Sequence, residues 1–532
     1  MKLPTDLVKM YKEIHGWVGI VSGLALFIAF YAGAITMFEG PLQEWASPPS
    51  RLAPAPSLQR TPELVARVLA EHPEAAHGYT VHLSIDAAHP ARLSWSDARG
   101  EEAEHGGGTM NFASLAPDGS LQVETEGPSP VARFVDVLHQ QVGLPFDHEI
   151  AMPIMGAIAL LYFIAIVSGL VVLLPSLVKD LFALRIGRNV KRMWLDLHNV
   201  LGLFSLPFHI VIALTSIVFA FHDQFYAAQA VAFGGPERPD RGAAVEQAPP
   251  RPSLPPAQVV SRIREQAPGF TPVALEYGSS PSGEAALRVL GGDIRFAQRG
   301  PDFGAAMLDP ATGEITQSDY LPGHQDGWSA AITSFFALHF GSFGGTPIRW
   351  AYFLLGLSGA FLFYTGNLLW VESRRKRERK AGAVEQSRST RILAALTVGV
   401  PLGCVAGISA TVAAAKPLGL SATPGIHSAI YYGVFLAFVL WALARGAARA
   451  GIEQLPAAAV AMLLVPIASL AAIASHPLRV WAVDITALAI ASALFIAWRS
   501  ARRRAGAGPR DSVWALPGSG PAHAEATQAG PA

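Results

Sequence analysis

Eight apolar runs of about 20 residues constrain this chain more than any other feature. They cover about 16–38, 151–174, 197–221, 347–371, 392–415, 426–444, 456–474 and 479–498. A run of that length spans a hydrocarbon core as a helix. Lipid offers no partner for backbone N–H and C=O groups, so each span must satisfy its own. Composition agrees, with 51% of the 532 residues hydrophobic and only 15% charged. Forty basic and 40 acidic side chains give zero formal net charge, so no nucleic-acid partner is expected; the lipid bilayer is. Cys404, the single cysteine, lies inside a run. That excludes an intrachain disulfide framework and any iron–sulfur or zinc site built from several cysteines.

Basic residues set the expected orientation. Lys2, Lys9 and Lys12 precede the first run, which is too long for a signal-peptide core and reads as an uncleaved anchor. Lys179, Arg185, Arg188, Lys191 and Arg192 lie between runs two and three, and Arg374, Arg375, Lys376, Arg377, Arg379 and Lys380 follow run four. Arg445 and Arg449 follow run six, and Arg499, Arg502, Arg503 and Arg504 follow run eight. All fall on one side if both termini are cytoplasmic. The expected location is a bacterial inner membrane, with large periplasmic loops at about 39–150 and 222–346.

Residues 1–190 and 191–380 read as two copies of one unit. His15-Gly16-Trp17-Val18-Gly19 opens the first run and His198-Asn199-Val200-Leu201-Gly202 the third. Leu138-His139 and Leu338-His339 precede the second and fourth. Tyr162-Phe163 with Ser168-Gly169 recurs as Tyr352-Phe353 with Ser358-Gly359. Both copies enter from the same side, so they are parallel repeats about an axis along the membrane normal. In the loops, 62–71 and 256–266 read as helices. Strands are expected near 79–85, 91–96, 272–277 and 285–290, with turns at Asp118-Gly119 and Asp309 to Ile315. Residues 391–500 form an additional four-helix domain, and 505–532 a disordered cytoplasmic tail.

Ionisable side chains in a bilayer rarely occur without a use. A lone interfacial histidine usually bonds backbone or headgroups, but two symmetric pairs read better as axial haem ligands. His15 would face His198 near the cytoplasmic side, and His139 would face His339 near the other. His209 follows His198 by 11 residues, about 16.5 Å along a straight helix and within about 20° of the same face. It is a further candidate ligand, although its repeat partner is Leu26. Pro207 would kink that helix. Arg349 would bond a haem propionate or anchor the interface. His222, His427 and His476 read as structural, and the loop histidines His72, His77, His82, His89 and His105 as solvated, with His77-x4-His82 a weaker metal candidate.

The two His-x3-Gly spans, the two Leu-His elements and the Asp309-x-x-Thr312-Gly313-Glu314 turn together resemble the PepSY-associated transmembrane helix family. The resemblance covers about residues 1–380. It implies a mainly α-helical polytopic membrane protein with two small extracytoplasmic α+β PepSY-like domains, about 58–127 and 253–318, and an internally duplicated core. It also implies b-type haem, here two, and the activity of an inner-membrane ferric-siderophore reductase. The chain contains no Gly-x-Gly-x-x-Gly after a strand and no cytoplasmic region long enough for a flavin or nicotinamide domain. Electrons would therefore come from quinol or a cytoplasmic reductase. The alternatives are a transporter for iron or siderophore, with histidines as relays, and a non-enzymatic regulator acting through its PepSY-like domains.

Overall fold

A computed structural model describes residues 4–96, 109–125, 127–177, 185, 190–233, 253–279, 285–300, 303–382, 386–472, 480–507 and 512–516. The chain opens with α1 (Thr5–Thr36) and α2 (Glu39–Ala46). Then come α3 (Thr61–Glu71), β1 (Gly78–His82), β2 (Leu93–Ser96), β3 (Met110–Leu115) and β4 (Leu121–Glu124). A short helix, α4 (Val131–Gln140), leads into α5 (His148–Leu173). The second copy repeats this order. It runs through α6 (Val190–Phe204), α7 (Leu206–Ala220) and α8 (His222–Phe233) to α9 (Pro256–Gln266). Strands β5 (Thr271–Ser279), β6 (Ala285–Gly292), β7 (Gly304–Leu308) and β8 (Ile315–Tyr320) follow, then α10 (Gly327–Phe340) and α11 (Gly345–Lys380). Four helices complete the chain: α12 (Arg388–Leu418), α13 (Pro424–Arg445), α14 (Ala447–Ala471) and α15 (Trp481–Ala507).

Among the described residues, seven helices are long and apolar enough to cross a membrane: α1, α5, α11 and α12 to α15. The expected third span is not one rod. It breaks at Ser205, and α6 and α7 meet at 68°. Pro207, in the first turn of α7, has no N–H to give, and its ring crowds the carbonyl four residues back. Beside it the Ser205 hydroxyl bonds the Leu201 carbonyl at 2.5 Å. This corrects the straight-helix reading that put His209 on the same face as His198.

The two small domains are not separate. Their strands form one antiparallel sheet in the order β4-β3-β2-β1-β5-β6-β7-β8, with β1 and β5 at the seam. Thr61 and Pro256, which begin α3 and α9, differ by 195 positions. By that offset Tyr79 and His82 correspond to Ala274 and Tyr277. The seam pairs Tyr79 with Tyr277 and His82 with Ala274, the exchange that a twofold axis between the halves requires. Apolar faces of both helices, including Leu64, Val68, Val259 and Ile263, pack with Leu93, Leu275 and Leu287 of the sheet. Edge strands left at the seam would expose unpaired backbone groups, and joining them removes that liability.

The last four helices cover α1, α2 and α4 of the first repeat and also meet α11 of the second, where Val371 packs with Ala394, Ala395 and Val398. Cys404, Tyr431 and Met462 share a core with Tyr31 of α1 and Val135 of α4. The equivalent face of α10 carries no such cover, so Leu138 is 1% exposed and Leu338 40%. Residues 512–516 are also ordered, contrary to the expected disordered tail: Val513 and Trp514 pack against Val371 and Ala394. Residues 505–507 end α15, and 508–511 and 517–532 lie outside the described residues.

Candidate functional site

Each repeat contributes one histidine to each of two pairs. His15 of α1 and His198 of α6 have ring centres 6.2 Å apart, at 70° between planes. His139 of α4 and His339 of α10 also stand 6.2 Å apart, at 36°. The second pair lies at the end of the bundle that carries the sheet, and the first toward the opposite end.

The Nδ1 edge of every ring is engaged. His15 Nδ1 bonds the Ala165 carbonyl at 2.9 Å, and His139 Nδ1 the Ala29 carbonyl at 2.8 Å. A carbonyl only accepts, so these nitrogens carry the proton. His198 Nδ1 meets Thr365 Oγ1 at 3.0 Å, and His339 Nδ1 meets Thr215 Oγ1 at 2.8 Å. Each threonine hydroxyl donates to a carbonyl of its own helix, Leu362 at 2.8 Å and Val211 at 2.7 Å. Its oxygen is left to accept from the imidazole. The same tautomer results four times, with Nε2 as the bare lone pair.

Small residues make room for these rings. A Cβ on Gly33 would fall 2.6 Å from His139 Nδ1, and one on Gly169 would fall 2.9 Å from His15 Cε1. The counterpart of Gly169 is Gly366, 3.4 Å by the same measure from His198 Cε1. The starts of α5 and α11, His148 and Gly345, differ by the same 197 positions. The Tyr-Phe and Ser-Gly match in the sequence is therefore seven residues out of structural register. Seven residues is nearly two helical turns, so both alignments keep the same face.

His209 takes a different place. Its Nδ1 meets the Tyr162 hydroxyl at 2.5 Å, and its ring lies among Phe30, Phe208 and Phe363. It is buried, and its Nε2 has no partner. His139 and His339 pair with each other, and His209 belongs to neither pair. The structural counterpart of Tyr162 is Gly359, so its contact with His209 has no repeat signature in the sequence. His427 is fully buried beside Phe134 with both ring nitrogens unbonded. His222 bonds the Phe219 carbonyl at 2.6 Å. His82 is not solvated: it is buried, bonds Ser94 Oγ at 2.7 Å and packs at a tilt against His89 rather than joining His77. Burial, aided by His89, depresses its pKa to about 3. His105 and His476 lie outside the described residues.

The donor set can be tested against a bound group. Two imidazoles bonding one metal from opposite sides, at about 2.0–2.1 Å each with ring centres about 1.1 Å further back, stand about 6.3 Å apart. Both pairs match that separation. Two nitrogens alone leave a bare ion under-coordinated. Among the described residues no three His, Cys, Asp or Glu side chains gather to hold one. A porphyrin supplies the four in-plane nitrogens that such a pair lacks, so haem iron fits the residues present.

A family model described as the PepSY-associated TM region matches residues 12–373. The chain belongs to this family. The match takes in all four paired histidines, His209 and the whole sheet, and it ends before α12. No curated protein matches the chain. As a member of the PepSY-associated TM family, the protein is a polytopic membrane protein with a duplicated core; helices α12 to α15 are an addition to the region the family defines.

Proposed function

We propose that this protein is a transmembrane di-haem oxidoreductase of the bacterial inner membrane that reduces a periplasmic ferric siderophore and releases ferrous iron. The observation that carries this reading is the repetition of one arrangement. Two histidine pairs, each 6.2 Å apart, present Nε2 from rings whose Nδ1–H is held by a carbonyl or threonine.

His15 and His198 would hold one b-type haem, and His139 and His339 the other. Haem supplies one-electron chemistry when bound. The chain does the rest. Ala165, Ala29, Thr365 and Thr215 fix the tautomers and orient the rings, which raises ligand basicity. Phe30, Phe208, Phe363, Tyr162 and His209 fill the space between the pairs and keep water out. The sheet stands over the His139–His339 end and would form the docking surface. Lowering iron from the ferric to the ferrous state weakens an oxygen-donor chelate, because hard anionic ligands lose charge attraction. The electrons would come from quinol or a cytoplasmic reductase.

The test is a reduced-minus-oxidised spectrum of detergent-purified protein with a pyridine haemochrome assay. Two b-type haems per chain are expected, one being lost in His15→Ala or His198→Ala and the other in His139→Ala or His339→Ala. Reconstituted protein supplied with a quinol or reductase should then convert a ferric siderophore to ferrous iron. A haem-free protein made with ample haem supply would refute the reading and favour the transporter.

A further inference from the structure

Arg299 lies between β6 and β7, where the sheet comes down onto α10. Its guanidinium packs 3.9 Å from the ring centre of Tyr320 at the end of β8 and 4.8 Å from that of Phe336 on α10. Its Nε reaches Thr333 Oγ1 at 3.4 Å, a hydroxyl that also receives Gln325 Nε2 at 2.7 Å. Among the described residues no carboxylate pairs with it. Its neighbours differ: Arg295 is paired with Asp293 at 2.5 Å and Arg288 with Glu276 at 2.5 Å. The segment is tied down next to it, since Gln298 N donates to the Ser342 carbonyl at 3.3 Å and the Ser342 hydroxyl bonds the Gln298 carbonyl.

A planar cation held against aromatic rings, with Nε engaged, has its two terminal nitrogens left as a donor fork. That fork matches a pair of anionic oxygens. Two aromatic rings also link it to the histidine pair at the sheet end. Phe336 lies 4.9 Å from Phe219, which lies 4.9 Å from His339. The same loop and helix start expose Phe296, Phe303 and Trp328, an apolar rim for a bulky chelate.

We propose that Arg299 receives the anionic oxygens of the iron chelate and so selects acceptors of net negative charge. This rests on the reductase reading for its biological meaning, but the binding itself does not. The probe is therefore Ga3+ citrate, an anionic oxygen chelate that cannot accept an electron. Equilibrium dialysis is run on the full-length protein in detergent with wild type, Arg299→Lys and Arg299→Gln. A cationic gallium hydroxamate serves as comparison.

Loss of a bidentate charged contact should weaken Ga3+ citrate binding about tenfold or more in Arg299→Gln, with part retained in Arg299→Lys. Affinity for the cationic chelate should not fall. Unchanged citrate affinity would overturn the proposal. So would an equal loss for both chelates, which would mean general damage. A change confined to haem content would assign Arg299 to the cofactor's carboxylates. A loss confined to copurifying phosphatidylglycerol would assign it to a lipid headgroup. Both results overturn the proposal. Failure of the reductase reading is seen separately, in the haemochrome assay.

Discussion

Replacing Gly33 by alanine should cost the His139–His339 pair its geometry while leaving the other pair intact. The new methyl would sit 2.6 Å from His139 Nδ1 and 2.7 Å from Cε1, whereas ordinary contact begins at 3.4 Å. The ring must retreat by about 0.8 Å, or α1 must shift. A retreat of that size breaks the 2.8 Å bond to the Ala29 carbonyl, since a hydrogen bond beyond about 3.5 Å is lost. Losing an orienting bond behind a metal ligand costs about 10–100-fold in affinity. Stability should move less. Crowding costs about 1–3 kcal/mol, and alanine in a helix interior returns about 1 kcal/mol over glycine. Gly169→Ala, at 2.9 Å from His15 Cε1, should do the same to the other pair. Gly366→Ala, at 3.4 Å, and Gly19→Ala, with nothing within 4 Å, should be silent. The assay is haem per chain by pyridine haemochrome, with thermal unfolding to exclude loss of fold. Gly33→Ala protein that keeps both haems with unaltered spectra would refute the reasoning, as would equal losses in all four variants.

Thr215→Val should lower affinity for the haem of the His139–His339 pair by about 10–100-fold and shift its reduction potential, both read by redox titration. Thr365→Val should act more mildly, because the Leu362 carbonyl is also within reach of His198; equal effects would count against that ordering. Tyr162→Phe leaves a second nitrogen of buried His209 without a partner and should destabilise the protein by about 1–3 kcal/mol in thermal unfolding, with haem content unchanged. His82 supplies a pH dependence. Its folded pKa of about 3 lies below the ordinary 6.5, so the unfolded chain binds the proton first and stability falls as pH drops from about 6.5 toward 3. At pH 5 the loss should be about 2 kcal/mol. Asp86, His89 and Arg92 are the charged groups around it. His82→Gln should narrow the difference in unfolding midpoint between pH 7.5 and 5, and an unchanged difference would show that another group titrates.

Much of the site was legible along the chain because its signals are local. Apolar length marks a crossing helix whatever surrounds it. His15 and His198 stand at the same place in two copies, so duplication marked them as a pair without any contact being visible. The helices expected over 62–71 and 256–266 from apolar spacing are α3, one residue longer at its start, and α9. The glycine equivalence was less secure. Gly169 matched Gly359 by neighbouring residue types, and only the packing around His15 and His198 moved its partner to Gly366. A shift of seven residues leaves a helix face nearly unchanged, so sequence pattern cannot detect it.

What the sequence determined by itself, then, was the membrane class, the duplication and the four paired histidines, because each depends on residues close together or repeated at matching places. Tertiary structure alone decided the rest. It joined two four-stranded halves through β1 and β5, bent the third apolar run at Ser205, set His209 against Tyr162 and aligned Arg299 with Phe336. These contacts bring together residues from distant segments. Whether they form depends on loop closure, on one proline's missing N–H and on the angle between helices, none of which a linear pattern of residue types records.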